Sequence, residues 1–152
     1  MSENTYLKEM ETMFMALADK TRLRLLNLMA ADEVCVCFFT EVLGYSQPKI
    51  SRHLAYLRNA DLVEARRDGK WMHYSIKWPE DEGMRSVLRS TLTALADDPE
   101  MQEDKATYTN VCCTPELLVQ IARTPIDFIS AQPDVIDNRR QVAHNELDEF
   151  LL

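Results

Sequence analysis

Ser46-Gln47-Pro48-Lys49-Ile50-Ser51-Arg52-His53-Leu54 is the stretch on which the fold turns. Ser46 suits a helix N-cap, because its hydroxyl can accept from an otherwise unpaired amide of the first turn. Pro48 is tolerated just inside that turn, where its missing N–H has no intrahelical partner. Ile50, Leu54 and Leu57 then recur at helical spacing and supply the apolar face of a helix running to about Ala60. Gln47, Lys49, Ser51, Arg52, His53 and Tyr56 are expected on or near the opposite face. One buried face and one face of long polar side chains is what the major groove of duplex DNA admits. Gln pairs bidentately with adenine and Arg with guanine, while Ser, Lys and Tyr suit phosphate oxygens.

On the N-terminal side, the stretch from about Asp32 to Leu43 is expected to be a helix ended by Gly44, a natural C-cap. Lys20 to Ala30 reads as the helix before it, with Asp19 as N-cap and Leu23 and Leu26 buried. Leu7, Met10, Met13, Phe14 and Leu17 mark an amphipathic helix at the chain start. On the C-terminal side the period changes. Leu62 to Arg67 and Lys70 to Ile76 flank Asp68-Gly69, a pair that signals a type I′ hairpin with positive φ at both positions. Val87, Leu88, Thr91, Leu92 and Leu95 give a further helix over Met84–Ala96. Helix, turn, helix and basic ribbon predict a mainly α (α+β) winged helix-turn-helix with a two-stranded β-hairpin wing.

Charge agrees with that placement. The chain of 152 residues has a formal net charge of −8, yet residues 45–79 hold seven Lys/Arg against three Asp/Glu. A basic island between acidic flanks is the asymmetry of a segment that alone meets a polyanion. The ribbon tip carries Arg66, Arg67 and Lys70, placed to lie along the flanking backbone or minor groove. Residues 1–97 are therefore expected to form the DNA-binding domain. Residues 98–152 read as a partly ordered extension, a polar lead-in followed by the vicinal pair Cys112-Cys113 and a short helix from Thr114-Pro115-Glu116. Met1 to Thr5 show no basic segment followed by an apolar one, and no apolar run approaches the roughly 18 residues of a membrane span. A cytoplasmic chain with reduced thiols is expected.

The run from Glu33 to Tyr74 resembles the ArsR/SmtB family of metalloregulatory repressors, its arsenite-responsive branch above all. The likeness rests on Glu33-Val34-Cys35-Val36-Cys37, the Ser46–Leu54 string and Asp68-Gly69-Lys70-Trp71-Met72-His73-Tyr74, and it covers roughly residues 10–96. The resemblance implies a homodimer, built by the Tyr6–Leu17 and Met84–Ala96 stripes, on pseudo-palindromic operator DNA. It also implies release of that DNA when a soft metal or metalloid binds.

As(III) and Sb(III) prefer three thiolate sulfurs. The family's arsenite branch places a third Cys three positions after the Cys-Val-Cys pair, where this chain has Thr40. A composite site is therefore expected: one or both of Cys35 and Cys37 joined by one or both of Cys112 and Cys113, from one subunit or from two. On an undistorted helix, residues two apart lie about 200° around the axis. Joint binding by Cys35 and Cys37 would then require the helix start to bend or unwind. Oxidants, persulfides, cadmium, zinc or lead are alternative signals for the same fold. An enzyme is not expected: the cysteines lack a Cys-x-x-Cys spacing or an Arg six positions on, and three glycines leave no phosphate loop or organic cofactor site.

Overall fold

A computed structural model describes residues 3–112. Nine elements follow one another: α1 (Glu3–Leu17), α2 (Lys20–Met29), β1 (Val34–Cys35), α3 (Val36–Leu43), α4 (Gln47–Asn59), β2 (Val63–Asp68), β3 (Trp71–Ile76), α5 (Glu82–Ala96) and α6 (Pro99–Cys112). The expected fold class is what forms. Its local rules are visible at the helix ends. The Asp19 carboxylate accepts from the Arg22 amide at 3.0 Å, the Ser46 hydroxyl accepts from the Lys49 amide at 3.4 Å, and Gly44 closes α3 at φ +70°.

Two details of the ribbon differ from expectation. The sheet has three strands, in the order β1-β3-β2, with Val34 opposite Tyr74 and Cys35 opposite His73. The segment expected to be helical from Asp32 thus starts as a strand, and the helix begins only at Val36. The hairpin turn is also shifted by one residue. Asp68 pairs with Trp71, so Gly69 and Lys70 are the central residues, and of these Gly69 alone has positive φ, at +59°. Glycine first with positive φ is the type II′ pattern, not type I′.

The core is built where α2, α3, α4 and the sheet meet. Leu25, Leu26, Phe39, Ile50, Leu54, Leu57, Leu62, Val63, Tyr74 and Leu88 are all buried in it, each contributing about 1.5–3 kcal/mol of burial. On α2, Leu25, Leu26 and Met29 are buried, whereas Leu23 is only partly so. The α1 stripe divides: Met13 and Leu17 are buried, whereas Leu7 is 70% and Phe14 51% exposed. Arg22 locks α1 to the pair α2–α4. Its guanidinium is buried, donates to Ala16 O at 2.8 Å and Met15 O at 3.0 Å, and stacks 4.1 Å from the Tyr56 ring. It thereby satisfies carbonyls of the last turn of α1.

The polar stretch after Asp98 is a helix, α6, packed on α2 and α3. Met101 and Asp104 are buried there. Asp104 forms a two-pronged ion pair with Arg24 of α2, both contacts at 2.8 Å, and the Asn27 amide donates to Met101 O at 3.1 Å. Residues 113–152, including Cys113 and the expected helix from Thr114, lie outside the described residues. Among the described residues no helix is long and apolar enough to cross a membrane.

Candidate nucleic-acid interface and thiol site

The outer face of α4 is narrower than the residue types suggested. Arg52 is exposed, and Gln47, Lys49 and Tyr56 are partly exposed. Ser51 and His53, expected on the outer face, are buried. The reason is angular: at about 100° per residue, His53 falls only about 60° from Ile50, within the buried sector. The His53 ring nitrogen Nδ1 lies 3.4 Å from Arg22 Nη1 and 3.7 Å from Asp19. Ser51 Oγ is buried without a hydrogen-bond partner among the described residues. Lys49 is steered by Tyr45, its ammonium sitting 3.9 Å over that ring.

On the wing, Arg67 and Lys70 are exposed and have no ion-pair partner among the described residues. Arg66 does have one. Its Nε donates to Glu33 at 3.0 Å, and Asp68 lies 3.9 Å away. The Arg66 hydrogen bond holds the Glu33 carboxyl below the usual carboxylate range. Glu33 also stands 3.8 Å from His73 Nδ1. The carboxylate two residues before Cys35 is therefore tied to the ribbon.

The thiols meet without any unwinding. Cys35 is not on the helix at all. It is the residue before α3, with φ −67° and ψ 135°, and that extended geometry turns its side chain onto Cys37. Cys37 Sγ donates to Cys35 Sγ at 3.0 Å. The 200° objection fails because it assumes helical geometry at both residues. Phe38, Trp71 and Val111 pack around the buried pair. Its two members are electrostatically unequal: the hydrogen bond from Cys37 lowers the Cys35 pKa, while the same bond and burial raise that of Cys37. Cys35 is the half that ionises first, and the thiolate is the form that binds soft centres.

Cys112, half-buried at the end of α6, is a free thiol next in sequence to Val111, which packs on the pair. Tyr108, one turn earlier, packs edge-on against Phe38 with centroids 5.6 Å apart. Burial and its hydrogen bond to Cys112 raise the Tyr108 pKa. Among the described residues, no three His, Cys, Asp or Glu side chains are grouped to hold a metal ion. The described chain thus brings two sulfurs together, Cys35 and Cys37, while Cys112 stands on α6. Arg22, Arg24 and Asp104 carry no sequence signal of these contacts, since charged residues at helical spacing read as solvated.

Together these features define a winged helix-turn-helix protein with a cysteine pair beside its wing. The chain belongs to the arsR family of bacterial regulatory proteins, whose pattern matches residues 19–65. It is 37% identical over 108 residues to the arsenic resistance transcriptional regulator ArsR2 of Pseudomonas putida, covering 66% of this chain and 94% of that one. Identity is 43% over 82 residues with ArsR1 of the same organism, covering 53% of this chain and 64% of that protein. It is 49% over 65 residues with the arsenical resistance operon repressor of Escherichia coli, covering 42% of this chain and 56% of that protein. The chain thus spans less than two thirds of the length of these last two. HlyU from Vibrio cholerae has the same fold, with a TM-score of 0.53 at 23% identity, covering 64% of this chain and all of that one.

Proposed function

We propose that this chain is a transcriptional repressor that binds operator DNA as a homodimer and lets go when As(III) or Sb(III) is captured by cysteine thiolates. The observation that carries the reading is the 3.0 Å approach of Cys35 and Cys37, at the start of α3, the helix that leads through Gly44 into α4. Each sulfur bonds by displacing a hydroxide from the trivalent centre, and the thiol proton leaves with it as water. Cys112, with Cys113 next to it in sequence, supplies the third sulfur. The exposed apolar residues Leu7 and Phe14 on α1, with the half-buried Val87 and Leu95 on α5, support these two helices as the dimer interface. Relatives named for arsenic resistance support the choice of inducer.

The test is titration of the protein–DNA complex with arsenite, antimonite, cadmium and hydrogen peroxide, followed by fluorescence anisotropy. Release by the two metalloids at the lowest concentrations is expected. Release by peroxide alone would make the thiol pair, already in contact, an oxidant sensor instead. In the same assay, the double variant C112S/C113S is expected to need about 10- to 100-fold more arsenite, since it loses the third sulfur. Unchanged induction would confine the site to Cys35 and Cys37.

For the DNA surface, Arg52 is the most exposed cation of α4. Arg52→Ala is expected to weaken operator binding by about 1–3 kcal/mol, or roughly 5- to 150-fold, the worth of one bidentate base contact. Equal affinity of variant and parent for the operator would remove Arg52 from the reading surface.

A further inference from the structure

Two surfaces have to communicate for induction to occur, and the packing of α6 supplies a physical link between them. At its C-terminal end, Val111 covers the Cys35–Cys37 pair and Tyr108 abuts Phe38 of α3. Eight residues earlier than Cys112, about 12 Å along the helix, Asp104 grips Arg24 with two 2.8 Å contacts. Arg24 Nη1 in turn donates to the Tyr45 hydroxyl at 3.1 Å. Tyr45 lies in the turn between α3 and α4, and its ring carries the Lys49 ammonium at 3.9 Å. Asp104 and Arg24 are both largely buried, with side chains 6% and 12% exposed, so this pair is held in one arrangement and is not a solvated contact.

We infer that Arg24 is a positioning residue that couples the thiol site to the first turn of α4 through Asp104 on one side and Tyr45 on the other. The inference rests on the proposed arsenite-induced release and names its route. A ligand that enters between the sulfurs under Val111 and draws on Cys112 displaces α6. Because the two-pronged pair cannot stretch without leaving charges unpaired in a dry setting, Arg24 follows Asp104. Tyr45 then loses its donor, and Lys49 and Gln47 lose their register on the DNA. A rigid element with two arrangements, biased from both ends, is the physical requirement for such coupling.

The test uses the full chain and its own promoter duplex, with sodium arsenite as the probe. Operator affinity is measured with and without saturating arsenite for the wild type, Tyr45→Phe and Arg24→Lys, and arsenite affinity of the DNA-free chain is measured by calorimetry. Tyr45→Phe keeps the ring under Lys49 and removes only the hydroxyl, so folding is preserved. The expected result is a ratio of the two operator affinities that falls about three- to tenfold in both variants, with arsenite affinity unchanged. A purely structural role would lower melting temperature or operator affinity and leave the ratio intact, and that result overturns the inference. If the wild type itself shows no release, the parent reading falls and this route with it.

Discussion

Cys37→Ser is expected to yield a chain that stays on its operator at arsenite concentrations that empty the wild type. The variant is informative because serine keeps an O–H donor for Cys35. The hydrogen bond that lowers the Cys35 pKa therefore has a replacement, and only the second sulfur is lost. A hard hydroxyl is a poor ligand for a soft trivalent centre. The two sulfurs are held 3.0 Å apart by the local backbone, so the second bond is effectively intramolecular. Losing it lowers arsenite affinity on the order of 10²–10⁴-fold. Operator affinity without arsenite should stay within about twofold, since Cys37 faces Trp71 and Val111 and not solvent. Anisotropy of a labelled operator under arsenite titration checks both numbers. A variant that is released at the wild-type arsenite concentration sinks the assignment of Cys37.

The second large effect concerns stability. Asp104→Ala leaves the Arg24 guanidinium buried, with Glu100 3.9 Å away and the Tyr45 hydroxyl as its remaining partners. Breaking a buried pair on one side costs more than the pair is worth, because the abandoned charge keeps its desolvation penalty. The expected loss is about 3 kcal/mol, or a melting temperature lower by roughly 10 °C in a domain of this size. The double variant Arg24→Met with Asp104→Leu should recover most of that, since no charge is then stranded. Urea unfolding of the two variants distinguishes the explanations. If the double variant is as unstable as the single, packing of α6 matters and its charge does not.

Much of the fold was legible from residue order alone, and the reasons are local. A cap such as Ser46 acts within three residues, Gly44 within one turn, and the Ile50, Leu54 and Leu57 stripe within one helix. The same locality explains what was misread. The hairpin was recognised, but its turn fell one residue later, because whether Asp68 pairs with Trp71 depends on register across the sheet and not on the Asp-Gly pair. Residue type alone sets Ser51 and His53 outside, whereas their angular positions put them against the domain. Nothing near Arg66 in sequence announces that Glu33, thirty-three residues away, pairs with it.

For the thiol site the division is sharpest. Cys-Val-Cys raises the expectation of a soft-ion site at Cys35 and Cys37, and a helix running through both would be strained by joint binding. Pairing of β1 with β3 removes that strain: Cys35 lies in extended backbone and the two sulfurs are in contact. By itself, the order of residues determined the winged helix-turn-helix, since capping, periodicity and turn chemistry act over a few residues. Tertiary structure alone decided which polar residues of α4 face outward, that the two sulfurs touch, and that α6 is docked on α2 by a pair eighty positions apart. Those outcomes depend on what the rest of the chain presents to each residue, and no short stretch carries that information.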